Sequence, residues 1–344
     1  PPPRLLRRQR QMCIRDRLSV LFGQLAGLLT FAALRRLGFS AAICVSAAAL
    51  FLFQPDVVVA AAGGMETMLV VALMAGSFFA LSARRNAAAV LLCALLVIAR
   101  IDGILWASIV LLLVCWERPG STHRYLLLFC AAVAPWAVFA QLYFGSVLPH
   151  SVIAKSAIGS AGEPLDELET LAAHMRWFIG AAGFCTEPLK RGSDSLIALA
   201  ATLLLALAGI VTIVRKPVRP ALLAIALFPP LLCVAYYLGR TPRIFPWYLV
   251  PPLWCVSILI VIGAANGWAV VRDRSHLRPI RRFALGVCIG SLLLALLLHL
   301  PSAGLRELAH QERMQRYEEG LRREVGEWLA ANTPEDATVA TEAI

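Results

Sequence analysis

Ten long apolar runs divide this chain of 344 residues, and they constrain its fold more than any other feature. They lie near residues 18–34, 40–55, 66–82, 86–100, 103–116, 125–144, 195–214, 220–238, 247–265 and 283–300. Because about 20 apolar residues cross the hydrocarbon core and the backbone there must satisfy its own hydrogen bonds, these runs are predicted to be helices. The sequence therefore predicts an all-α polytopic membrane protein. The fourth and fifth runs are short and could form a broken or re-entrant pair.

The connections between the runs alternate in charge. One set holds most of the basic residues, namely Arg35, Arg36, Arg84, Arg85, Arg118, Arg124, Arg215, Lys216, Arg219, Arg272, Arg274, Arg278, Arg281 and Arg282. By the positive-inside rule these connections face the cytoplasm, and the others face outward together with the tail after Leu300. The formal net charge of +11 is then a consequence of orientation, and no nucleic-acid partner is predicted.

The two ends of the chain differ in character from its centre. Residues 1–17 carry six arginines on the side predicted to face outward, and residues 12–17 resemble a translated sequencing adapter, so this segment is predicted to be non-native. Residues 18–300 form the predicted transmembrane domain. Residues 301–344 are predicted to begin an extracytoplasmic C-terminal domain, with a helix over 305–330 and then a strand whose partners are missing.

The largest outward loop, residues 145–194, contains an amphipathic pattern. Apolar side chains between residues 165 and 179 share one helical face, which is typical of a helix at a membrane surface. This helix is either a simple connector or a lid over a cavity for a lipid substrate.

Three ionisable residues near predicted outer boundaries require an explanation, because charge at membrane depth is costly. Glu66 follows two glycines and could act chemically, or could be an acid placed favourably at a helix N-terminus. Arg100 and Asp102 could belong to a site, could neutralise one another, or Asp102 could cap the next helix.

Two further outward stretches carry cations. In residues 143–155, Gly145 and Pro149 predict a turn, and Lys155 could bind a substrate or simply reach a lipid headgroup. In residues 239–252, Arg240 and Arg243 precede Trp247 and Tyr248, and these aromatics could bind a substrate or anchor the helix at the interface.

Cations, carboxylates and aromatics on one face of a membrane bundle suit an anionic lipid-linked sugar. Cations would hold a departing phosphate, a carboxylate would deprotonate an acceptor hydroxyl, and aromatics would face the sugar. We assign the carboxylate role to Glu66 and Asp102, and sugar contacts to Trp247 and Tyr248. The predicted phosphate-binding cations are Arg100, Lys155, Arg240 and Arg243. The nine cysteines indicate neither a disulfide framework nor a zinc site. A divalent metal remains a possible cofactor.

Three stretches in this order resemble a bacterial branch of the GT-C integral-membrane glycosyltransferases, closest to the terminal arabinofuranosyltransferases of the cell wall. Residues 63–67, 100–103 and 143–155 correspond to family stretches that read Ser-Gly-Leu-Glu-Thr, Arg-Pro-Glu-Gly and Tyr-Gly-Asp-Leu-Leu-Pro-Asn-Thr-Phe-Tyr-Ala-Lys. Asp102 stands where the family has glutamate, and His150 where it has asparagine. The matching positions are Glu66, Arg100, Asp102, Pro149, His150 and Lys155. Residues 328–339 resemble the start of the family's extracytoplasmic domain.

The resemblance implies a GT-C fold in the bacterial inner membrane, with an extracytoplasmic active face. Such an enzyme moves a sugar from a polyprenyl-phosphate donor to a glycan, lipid or protein acceptor, and His150 would contact substrate. Family members also carry an essential aspartate in a first outward loop. Nothing before Leu18 matches that loop, so the chain is predicted to lack the first span and this loop.

Two other classes of protein fit parts of the pattern. A transporter or flippase of a lipid-linked saccharide would show inverted repeats and discontinuous helices near the midplane. A noncatalytic membrane assembly subunit would tolerate substitution of Glu66 and Lys155.

Overall fold

The predicted helices are present throughout the part of the chain that the computed structural model describes. That part comprises residues 3–147, 192–215, 219–238 and 246–273, with short helical pieces between 309 and 332. The α-helices are α1 (Pro3–Arg36), α2 (Ala41–Leu52), α3 (Pro55–Ala62), α4 (Thr67–Ser82), α5 (Asn86–Ala99), α6 (Ile104–Glu117), α7 (Thr122–Phe144), α8 (Gly192–Arg215), α9 (Pro220–Leu238) and α10 (Pro246–Asp273). Because these residues include no strand, the all-α prediction is confirmed.

Among the described residues, three helical segments are long and apolar enough to cross a membrane: Ile14–Arg36, Pro119–Phe144 and Trp247–Ala269. Helices α2 and α3 qualify together as a fourth, although they are bent by 63° relative to each other. The shorter apolar helices are Thr67–Ser82, Asn86–Ala99, Thr202–Arg215 and Pro220–Ala235. These findings indicate a membrane protein. The count of ten spans stays a prediction, and the last span, 283–300, lies outside the described residues.

The broken span lies earlier in the chain than the sequence predicted. Residues 56–62, predicted as part of an outward connection, lie in α3, and the bend falls between α2 and α3. Pro55 is the first residue of α3, and Gln54 before it is extended (φ −68°, ψ 137°). A residue that precedes proline is disfavoured in helical conformation, so the helix ends and restarts here.

The short pair α5 and α6 is not one broken span but an antiparallel hairpin, and whether this hairpin is re-entrant stays a prediction. Ile101–Gly103 forms a 3-10 turn between the two helices. At the far end, Asn86 Nδ2 donates a hydrogen bond to Glu117 Oε2 over 3.4 Å. The turn is tight, since a Cβ atom on Gly103 would lie 2.6 Å from Leu96 Cγ.

Two tryptophans occupy the centre of the bundle. Trp106 and Trp254 are fully buried, and their rings meet edge to face with centroids 5.6 Å apart. Trp106 Nε1 donates to Ser77 Oγ, and Trp254 Nε1 donates to Thr30 Oγ1, both over 2.8 Å. Buried indole N–H groups need such partners, so these bonds fix α1, α4, α6 and α10 around one core.

Contacts along α1 and α4 define two ends of the bundle. Ser19, midway along α1, lies 3.3 Å from the Met65 carbonyl oxygen, whereas Arg36 at the end of α1 lies over the Phe79 ring. The two helices are therefore parallel. Arg100 donates to Thr67, the first residue of α4, so it shares the end near Ser19. We call this the Arg100 end and the opposite one the Arg36 end.

The basic residues of helices α1 to α7 and of the start of α9 separate between these ends as predicted. Arg219 donates to the Leu37 carbonyl and so joins the Arg36 end. The described arginines of this end are Arg35, Arg36, Arg84, Arg85, Arg118, Arg124 and Arg219. Arg100 lies at the other end, as do Arg15 and Arg17 of the segment predicted to be non-native.

Helices α8 and α10 pack through glycines and run in opposite directions at their contact. Gly209 lies against Leu259, and Gly263 lies against Leu205. A Cβ atom on either glycine would overlap the backbone of the leucine that it faces. Glycine permits such close approach of two helices in a membrane. The sequence predicted that both helices run inward from the outer face, so their antiparallel contact differs from the predicted topology.

Candidate functional site

The Gly-Gly-Met-Glu-Thr stretch forms a turn that leads into α4 at the Arg100 end. Gly64 takes a left-handed conformation (φ +60°), and a Cβ atom there would meet the Asp16 carboxylate. Ser19 Oγ lies 3.3 Å from the carbonyl oxygens of both Ala60 and Met65. The turn is therefore held against α1, and Gly64, which has no side chain, permits the close approach.

Glu66 occupies the N-cap position of α4, and its side chain is exposed. It makes no capping hydrogen bond to the helix. Within the part of the chain that the structure describes, no hydrogen bond or salt bridge holds its carboxylate. A carboxylate in this position can accept a proton from, or hydrogen-bond to, an external group.

Arg100 is held by three partners from different elements. Its Nε and Nη2 atoms donate to the Asp102 carboxylate over 3.0 and 2.6 Å, a two-point ion pair. Nη1 lies 3.4 Å from Thr67 Oγ1, at the limit of a hydrogen bond, and Arg100 Cζ lies 4.6 Å from the Tyr248 ring centroid. The last distance is that of a cation–π interaction. Arg100 thus joins α4, the turn after α5 and the start of α10.

The mutual ion pair, one of the predicted alternatives, is what the structure contains. Asp102 does not cap α6, because its carboxylate is occupied by Arg100 and α6 begins without a side-chain cap. The Arg100 side chain is only 9% exposed, and that of Asp102 is 27% exposed. Asp102 therefore keeps some access to an external group, whereas Arg100 is largely committed to internal partners.

Some of the predicted site residues come together, and others lie outside the described residues. Arg100, Asp102 and Tyr248 are in contact, with Glu66 directly before Thr67. Trp247 lies beside Tyr248, with ring centroids 6.2 Å apart. The predicted residues beyond the described part are His150, Lys155, Arg240 and Arg243, together with the amphipathic stretch between 165 and 179. Their convergence on this end stays a prediction.

Two residues contribute to this region that the sequence analysis did not select. Thr67 is fully buried and accepts from Arg100, although it stood in the quoted motif without a role. Asp16 lies against Gly64 in the segment predicted to be non-native. Helix α1 includes most of that segment. That residues 1–17 are non-native stays a prediction.

The predicted turn is confirmed at Gly145, whereas Pro149, its other predicted residue, lies outside the described residues. Gly145 ends α7 in a left-handed conformation (φ +73°), with its N–H donating to the Gln141 carbonyl. This is a common helix termination that favours glycine.

No group of three or more potential metal ligands occurs among the described residues. Comparison of the chain with protein-family models, with curated proteins and with solved structures gives no match. The functional assignment therefore depends on the residues of this chain.

Proposed function

We propose that this chain belongs to a GT-C type glycosyltransferase that moves a sugar from a polyprenyl-phosphate donor to an extracytoplasmic acceptor. The acceptor is a glycan, a lipid or a protein. The observation that carries the proposal is the exposed carboxylate of Glu66, the residue directly before Thr67. Arg100 contacts Thr67 and pairs with Asp102, at the end of the bundle opposite the arginine-rich connections. By the positive-inside rule this end faces away from the cytoplasm.

In this proposal Glu66 is the carboxylate that removes the proton from the acceptor hydroxyl. Arg100 positions Thr67 and the Tyr248 ring around it, and Asp102 keeps Arg100 in place. The phosphate of the donor is held by Lys155 and Arg243, as the sequence predicts for both and the family resemblance implies for Lys155. A polyprenyl phosphate is already a good leaving group, so cations near it are sufficient and no strong general acid is required.

Glu66→Gln tests the proposal directly, because glutamine keeps the shape of the side chain but cannot accept the proton. We expect transfer from polyprenyl-phosphate pentoses or hexoses by the full-length protein to fall about 100-fold or more. Glu117→Gln, an equal change at the Arg36 end, should leave transfer unchanged. Full activity in a correctly folded Glu66→Gln protein would remove this role.

Lys155 and Arg243 are expected to act on the donor phosphate. Lys155→Met or Arg243→Met should lower the turnover number about 100-fold, since each removes a charge that stabilises the leaving group. Rescue by the other basic side chain, in Lys155→Arg or Arg243→Lys, would indicate that charge rather than shape is required. Equal turnover in the methionine variants would contradict the assignment.

A flippase for the same class of lipid is a second candidate, favoured by the break between α2 and α3. Discontinuous helices near the midplane are frequent in transporters. A flippase would move a fluorescent lipid-linked sugar across a reconstituted bilayer without release of the polyprenyl phosphate. Release of the phosphate coupled to acceptor glycosylation would favour the transferase.

A further inference from the structure

A cavity of about 370 Å³ lies between α1, α4 and α5, and it extends from Phe22 and Leu69 toward Arg85 at the Arg36 end. Apolar side chains of all three helices form its walls, among them Phe22, Leu29, Leu73 and Leu92. Among the described residues of the lining, Arg85 is the charged one, and it lies at the Arg36 end. The cavity is thus apolar along most of its length and basic at one mouth.

The floor of this cavity depends on a glycine. A Cβ atom on Gly76 would lie 3.3 Å from Leu92 Cδ1 and 3.8 Å from Leu29 Cδ1. Any larger residue there would reduce the cavity. Leu25 on its rim is 42% exposed, and Leu28 and Leu91 beside it are also exposed, so the cavity opens onto an apolar outer surface. In a membrane that surface is in contact with acyl chains.

Two guanidinium groups stand at the basic mouth. Arg36 Cζ lies 5.5 Å from the ring centroid of Phe79, which lines the cavity, and Arg85 lines it directly. Arg84 between α4 and α5 takes a left-handed conformation (φ 56°), which closes the turn that places Arg85. Within the described part of the chain, no salt bridge pairs Arg36 or Arg85 with an acid. Both remain available to an external anion.

We propose that this cavity holds one acyl chain of an anionic phospholipid whose phosphate lies between Arg36 and Arg85. An apolar slot that faces lipid fits a hydrocarbon chain, and two unpaired guanidinium groups at its mouth fit a phosphate. The arginine-rich end is the one expected in the cytoplasmic leaflet, where bacterial and other membranes carry anionic headgroups. The inference is independent of the proposed transfer reaction, because the basic mouth lies at the opposite end from Glu66.

Native mass spectrometry of the delipidated full chain can count bound lipids. We expect one tightly bound phosphatidylglycerol, and weaker binding of phosphatidylcholine with the same acyl chains. Arg36→Gln and Arg85→Gln should each weaken phosphatidylglycerol binding about 5-fold, and together about 30-fold, with little effect on phosphatidylcholine. Millimolar inorganic phosphate should not displace the lipid, because it cannot occupy the apolar slot.

Ala88 and Ala87 provide a matched pair of variants, since Ala88 lines the cavity and Ala87 is exposed beside it. Ala88→Phe should weaken binding of both lipids, whereas Ala87→Phe should bind as the unmodified chain does. If Ala88→Phe fails to fold, Leu25→Trp on the exposed rim tests the same point. The proposal is overturned by equal affinity for both lipids, by equal binding of the Ala88 and Ala87 variants, or by displacement of the phospholipid by polyprenyl phosphate.

Discussion

The contacts of Arg100 show which interactions of a single residue the sequence predicts and which it does not. Its pairing with Asp102 was one of the expected alternatives, because two opposite charges at one boundary can neutralise each other. Its contacts with Thr67 and Tyr248 were not predicted. These partners lie far along the chain, and hydrophobic periodicity identifies the buried face of a helix but not which residue of another helix it meets.

A double-mutant cycle on Arg100→Gln and Asp102→Asn measures the strength of this pair. We expect a coupling free energy of about 1 to 3 kcal/mol in unfolding of the detergent-solubilised protein, because the pair is two-point and partly buried. Each single variant should destabilise the fold, since each leaves a polar group without its partner.

The control is the exposed pair Arg323–Glu327 in the tail, whose side chains are 81% and 67% exposed. Its N–O distance is 2.9 Å, but water screens it, so its coupling should stay below about 0.5 kcal/mol. Equal coupling in the two cycles would mean that Arg100 does not hold the elements around it together.

At the scale of elements, the apolar runs predicted which segments are helical but not where they bend. The signal for the break was present, since Pro55 requires a new helix start. The sequence analysis missed the break because residues 55–62 are apolar apart from Asp56. Apolar composition alone does not show whether so short a stretch next to a span is a second helix or a connection. The hairpin of α5 and α6 was ambiguous for the same reason, as each helix is only 14 residues long.

Gly103→Ala tests the packing of that hairpin. The added Cβ atom would lie 2.6 Å from Leu96 Cγ and 3.2 Å from the Leu96 carbonyl oxygen, in a buried position. We expect a loss of about 1 to 3 kcal/mol in the free energy of unfolding, seen as a lower thermal midpoint. Gly120→Ala should change little, because no atom of the described residues lies within 4 Å of the added Cβ atom. A neutral Gly103→Ala would mean that the turn is looser than described.

For the whole molecule, the charge pattern predicted the two ends of α1 to α7 correctly, although these helices differ in length and one span is broken. Basic residues are costly inside the membrane and concentrate in the connections at its surfaces, so their positions along the sequence mark where the chain turns back between helices. The pattern did not predict the antiparallel contact of α8 and α10. That contact depends on Gly209 and Gly263, which mark a close approach but carry no information about direction.

The orientation of the bundle in the membrane is the last prediction. With the native cysteines replaced, a cysteine at Val147, after α7, should react with an impermeant thiol reagent added outside intact cells. A cysteine at Gly120, before α7, should react only after permeabilisation. Both positions are exposed, so a difference in labelling reports sidedness rather than burial. The expectation follows from the arginines at the Gly120 side of α7, which the positive-inside rule places in the cytoplasm. The reverse labelling would place Glu66 on the cytoplasmic face and remove the extracytoplasmic transferase, and it would move the basic mouth near Arg36 into the outer leaflet.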